Sequence, residues 1–177
     1  TEAGAGPVLL DVIFSGAQRD DPEADVELAA AMQRHGRVVL PMFMVDGQDE
    51  AVLPEPGLVA AARLGHSQAL VDSDGVSRRY MAQEFANGVA YPHVAQVVLH
   101  LFQPQDKKAV VQGGARLVPF AGPPGHFERR SFTALMEGRV PAKDIEGRIV
   151  LVGATATGLG DNLITPLDEF SGQKIAP

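Results

Sequence analysis

The chain has no cysteine among its 177 residues, which excludes disulfide frameworks, thiolate metal sites and cysteine nucleophiles together. It has no excess of basic charge either. Fifteen Lys and Arg stand against 22 Asp and Glu, a net charge of −7, so no basic stripe is on hand to neutralise a nucleic-acid backbone. The paired bases Arg78-Arg79, Lys107-Lys108 and Arg129-Arg130 read as solvated surface. No apolar run approaches the ~20 residues that cross a bilayer, and no signal peptide is visible. Several catalytic signatures are missing as well. No Gly-x-Ser-x-Gly elbow occurs, and no two of the five histidines have zinc-protease spacing. His93 and His100 would share a helical face two turns apart, too far to chelate an ion together. No metal and no cofactor is expected.

What is present is the composition of one folded domain: 45% hydrophobic and 21% charged residues, enough to bury a core without staples. Val8 to Phe14 is apolar but for Asp11 and reads as an inner strand. Asp20-Asp21-Pro22-Glu23 is a helix start, with Asp21 as the cap, Pro22 at the first position and acids at the positive end of the dipole. Gly36 closes that helix, and Arg37 to Met44 returns as a strand. Strand, helix, strand is a parallel crossover.

Further on, Leu58 to Leu64 reads as a short helix ended by Gly65, and Asp72-Ser73-Asp74-Gly75 as a hairpin turn between His66–Val71 and Val76–Phe85. Asp72 and Asp74 resemble the start of a calcium loop but lack its remaining ligands, so a plain turn is the better reading. Pro92 begins a helix carrying Val94, Val97, Val98 and Leu101 at helical spacing, Gly114 to Phe120 is a strand, and Ser131 caps a helix over Phe132–Met136 that Gly138 ends. The fold class expected is α/β, a single domain with a mixed, largely parallel central sheet flanked by helices, plus one β-hairpin.

The most informative segment is Arg148 to Asp161, followed by Thr165-Pro166-Leu167. Apolar and β-branched residues run into Gly153-Ala154-Thr155-Ala156-Thr157-Gly158-Leu159-Gly160-Asp161, a buried strand opening into a tight loop where α/β proteins place ligands. The loop ends on an acid, and a phosphate-cradling loop needs Gly-Lys-Ser/Thr. If the Asp11 and Gly-loop strands are parallel neighbours, Asp11 and Asp161 meet at one sheet edge, able to hold a cation or a ligand amine. The alternative is structural: Asp11 takes backbone hydrogen bonds and Asp161 caps the turn. Thr155 and Thr157 offer hydroxyls, and the amides near Gly158 and Gly160 form either an anion nest or a plain structural loop.

Taken in order, several segments resemble the second type of CHASE domain, a sensory module of bacterial cyclases and histidine kinases. They are Asp11-Val12-Ile13-Phe14-Ser15; Asp25 and Leu28-Ala29 ahead of Gly36-Arg37-Val38-Val39-Leu40-Pro41; Leu64-Gly65-His66; Asp72 to Arg79; Phe120 to Gly125 before Ser131-Phe132; and Gly147 to Leu167. Two departures stand out: only six residues precede Pro7, where the family has a further strand and helix, and the chain stops soon after Thr165-Pro166-Leu167.

The resemblance implies that residues 1–177 are a single extracytoplasmic sensory domain, cut at both ends from a longer receptor. Membrane segments outside the chain would anchor it on the periplasmic or extracellular face of the bacterial inner membrane. A diguanylate cyclase, adenylate cyclase or kinase would follow inside the cell. The domain itself would be non-catalytic, would bind an unidentified small molecule and no nucleic acid, and would pair as a homodimer. Asp11, Thr155, Thr157, Gly158, Gly160 and Asp161 are the ligand-binding candidates. A different class stays open: a soluble metal-dependent hydrolase or phosphotransferase using Asp11 and Asp161.

Overall fold

The computed structural model describes residues 3–18, 20–45, 47–105, 113–123, 125–154 and 163–167. Four parallel strands form the central sheet: β1 (Val8–Asp11), β2 (Val38–Met44), β4 (Arg63–His66) and β10 (Val150–Gly153). They lie in the order β10-β1-β2-β4, with the two-residue β3 (Ala51–Val52) antiparallel to the far end of β2. The mixed, largely parallel sheet expected from the sequence is therefore present.

The alternation of β2 sorts the core into two layers. Val38 and Leu40 join Met32 of α1 (Pro22–His35) and Leu58 of α2 (Pro56–Val59), with Leu28 and Ala29 packed alongside. Val39 faces the other way, onto Val94 and Val98 of α3 (Val94–Phe102). Helices thus cover both sheet faces, as parallel strands require. Val26 of α1 is left out of this packing and is 69% exposed.

Local chemistry explains the ends of α1. Gly36 adopts a left-handed φ of 75°, and its N–H donates to the Met32 carbonyl at 2.9 Å, closing the helix as expected. Asp21 sits at the N-cap position without a side-chain cap bond; instead Asp25 accepts from the Gln18 N–H at 2.8 Å.

The helix expected over Leu58–Leu64 ends at Val59, and Arg63–His66 is the strand β4. Gly65 does not end a helix but lets α3 approach. A Cβ there would sit 2.9 Å from the Pro92 carbonyl oxygen and from Val94 backbone atoms, closer than real contacts allow.

Beyond the carboxyl end of β4, a smaller antiparallel sheet runs β5 (Ala69–Val71), β6 (Ser77–Met81), β9 (Ala115–Leu117). The Asp72 to Gly75 turn joins its first two strands, with Gly75 at φ 83°. A second hairpin, β7 (Gln83–Ala86) with β8 (Val89–Pro92), turns on Asn87-Gly88, both at positive φ, and the single strand expected over Val76–Phe85 is divided between β6 and β7. Pro92 ends β8, and His93 caps α3. Helix α4 (Phe132–Met136) forms where expected, with Ser131 Oγ accepting from the Ala134 N–H at 3.4 Å and Gly138 at φ 68°.

Candidate functional site

In open parallel sheets ligands gather outside the carboxyl ends of the strands, where the strand order reverses. Here the chain moves from β1 to β2 and β4 on one side and returns to β10 on the other, so the reversal lies between β1 and β10. Asp11 and Gly153 end these two strands and are register partners. The condition set by the sequence, that the strands be parallel neighbours, is met.

Gly153 leaves room beside the acid. A Cβ built on it would stand 3.4 Å from the Asp11 Cβ and 3.6 Å from Oδ2. Asp11 is exposed but is not without a partner. Next to this edge, Phe14, Gly16, Gln18, Asp21, Asp25 and Leu28 are among the residues lining a cleft of about 290 Å³ between the end of β1 and the start of α1. Of the other ligand-binding candidates, Thr155, Thr157, Gly158, Gly160 and Asp161 lie outside the described residues, so Asp11 is the one the structure places. Among the described residues no group of three or more His, Asp or Glu is arranged to hold a metal ion.

The chain on the far side of the glycine loop is fastened to a different sheet. Ile164 forms a parallel bridge with Val76, and the Ser77 N–H donates to the Ile164 carbonyl at 2.7 Å. Thr165, next along, is buried. The turn beneath this anchor is held by charge. Asp72 accepts from Arg79 Nε at 3.0 Å and from Arg78 Nη1 at 3.2 Å, while Asp74 accepts from Arg78 Nη1 at 2.9 Å and from the Val76 N–H at 3.1 Å. Hydrogen bonds from Arg79 and then Arg78 hold the Asp72 carboxyl below the usual carboxylate range. For Asp74 the Val76 N–H is the leading cause of a shift in the same direction. The Asp72 turn is thus an ion-paired support for the segment that follows the glycine loop.

Sequence reasoning did not find a second cluster. His66, at the end of β4, is fully buried, and its ring stands edge-on to His93 with centroids 5.1 Å apart; Tyr80 lies 4.6 Å beyond His93. Burial and then the neighbouring His93 lower the His66 pKa to about 4, partly offset by the Met81 carbonyl, and burial lowers His93 to about 4. His93 Nδ1 also accepts from the Ala95 N–H at 3.2 Å as the cap of α3. His93 therefore sits at the start of the helix, not on its face with His100. The two histidines are 27 positions apart, and no local pattern links them.

A protein-family model described as the CHASE2 domain matches residues 1–176. The chain belongs to the CHASE2 domain family. This is a family of extracytoplasmic sensory domains, generally non-catalytic, and two of the segments that carried the resemblance, the end of β1 and the strand leading into the glycine loop, meet at the sheet edge just described. Searches of curated proteins and of solved structures found no match. No helix among the described residues is long and apolar enough to cross a membrane.

Proposed function

We propose that this CHASE2 domain senses a small extracytoplasmic ligand and passes a conformational change through the end of β10 to a cytoplasmic output module, a diguanylate cyclase, adenylate cyclase or kinase. Membrane segments outside the chain would carry the change, and two copies would act together because such output modules work in pairs. The observation behind this reading is that the glycine loop joins two sheets. It leaves the parallel sheet at Gly153 and reaches the small sheet at Ile164, where the Ser77 amide holds it. A ligand that favours one relation of β10 to the small sheet shifts the population of the two, and only a difference in affinity can do so. In this reading Asp11, Thr155, Thr157, Gly158, Gly160 and Asp161 contact the ligand.

The absence of cysteine from these 177 residues makes an introduced disulfide a direct test. The 3.4 Å between the Asp11 Cβ and a Cβ at Gly153 is close to the spacing a disulfide spans. In the full-length protein, an Asp11→Cys/Gly153→Cys pair is expected to change basal output severalfold when oxidised and to recover on reduction. Unchanged output with the disulfide fully formed would remove β10 as the moving joint.

A further inference from the structure

A groove of about 470 Å³ lies between β4, at the edge of the central sheet, and α3. Its apolar wall is Leu64, Pro92, Val97 and Leu101, and its polar lining is Arg63, Gln96 and His100. The volume is that of an ordinary small-molecule site.

The polar residues are unusual as a set in a chain of net charge −7. Among the described residues no Asp or Glu lines the groove, and neither Arg63 nor His100 makes an ion pair. Gln96 is 5% exposed, and among the described residues its buried Nε2 has no hydrogen-bond partner. Buried amide donors are nearly always paired, and a small turn of the Gln96 amide into the groove would bring Nε2 to an acceptor bound there. Gln96 and His100 stand one helical turn apart on α3, as do Val97 and Leu101, which sets donors beside an apolar strip. A guanidinium and an amide N–H₂ together match a carboxylate.

We propose that this groove binds a small organic carboxylate with a short hydrocarbon body, its anionic end toward Arg63 and Gln96 and its hydrocarbon along Leu64, Val97 and Leu101. That such binding is the signal rests on the sensory reading; the binding itself does not.

The test is calorimetric titration of the 177-residue chain with hexanoate, with hexanamide, which keeps the hydrocarbon but not the charge, and with inorganic phosphate, which keeps only charge. Saturable one-site binding of hexanoate is expected, at least tenfold tighter than either control. Arg63→Gln, at an exposed position, should weaken it at least tenfold with an unchanged melting temperature. Gln96→Leu, which removes the unpartnered donor, should weaken it severalfold. No saturable binding at millimolar hexanoate, equal binding of hexanamide or phosphate, or indifference to Arg63→Gln each overturns the site. Adding hexanoate to the full-length protein then separates the two claims: binding without a change in output keeps the site and counts against sensing through it.

Discussion

Strands β2 and β10 belong to the same sheet and differ in how they are held. β2 lies between β1 and β4, and Val39, Leu40 and Met42 are fully buried. Among the described residues β10 pairs only with β1, at the end of the sheet, and Leu151 is 68% exposed. The helices repeat the contrast, since α1 buries Met32 whereas α4, just before β10, buries no residue. Parallel strands normally lie covered on both faces, so the thin cover over β10 marks it as the member of the sheet that is cheapest to displace. Segments that move in signalling come from such low-stability regions. The sheet thus pairs a well-buried middle with a thinly covered edge, and that edge is the one feeding the glycine loop.

Truncating one leucine in each strand sharpens this contrast most. Leu40→Ala is expected to cost about 2–5 kcal/mol in urea denaturation, as for a fully buried leucine. Leu151→Ala is expected to cost less than about 0.5 kcal/mol. Equal losses at the two sites would erase the distinction between middle and edge.

Acid should act on the β4 side of the molecule before it reaches the β10 side. His66 and His93 both have folded pKa values of about 4, against about 6.5 in the unfolded chain. Between those values the unfolded state binds more protons, so stability is complete above pH 6.5 and falls as pH drops toward 4. The groups around His66 are His93, Tyr80 beyond it and the Met81 carbonyl; no carboxylate is among these partners to offset a positive charge. For the fully buried His66 alone the loss is of order 3 kcal/mol across that window. His66→Phe keeps a ring and removes one titration, so the acid limb of the stability profile should become about half as steep. An unaltered limb would mean that the two histidines do not govern acid unfolding.

How legible these regions were in the sequence follows the same division. β1, α1 and β2 were readable because local signals agreed: a Pro22 start, a Gly36 stop and continuous apolar strands on either side. β4 was misread because Arg63-Leu64-Gly65-His66 is too short and mixed to show a period, and its glycine serves a contact with Pro92 and Val94 made only in the folded chain. The Asn87-Gly88 turn did carry a local signal, a known hairpin dipeptide, that the reading passed over. Asp11 was legible because it is the one acid in the apolar run Val8 to Phe14, and β1 ends on it. The His66 and His93 pair and the Arg63 and Gln96 groove were not, since each joins two elements that only tertiary packing brings together.

The smallest expected effect tests the edge from its own side. Ser131 caps α4 through the Ala134 N–H, and losing such a cap ordinarily costs ~1 kcal/mol. That cost registers in global unfolding only if α4 is bound into the cooperative core. A helix with no buried residue has little to bind it, so Ser131→Ala should lower global stability by less than about 0.5 kcal/mol. Hydrogen exchange of the Leu135 and Glu137 amides, which donate within this helix to Ser131 and Thr133, should nevertheless speed up severalfold. A full kilocalorie lost in global unfolding would show that α4 is fastened to the sheet after all, and the region before β10 would then be as fixed as β2.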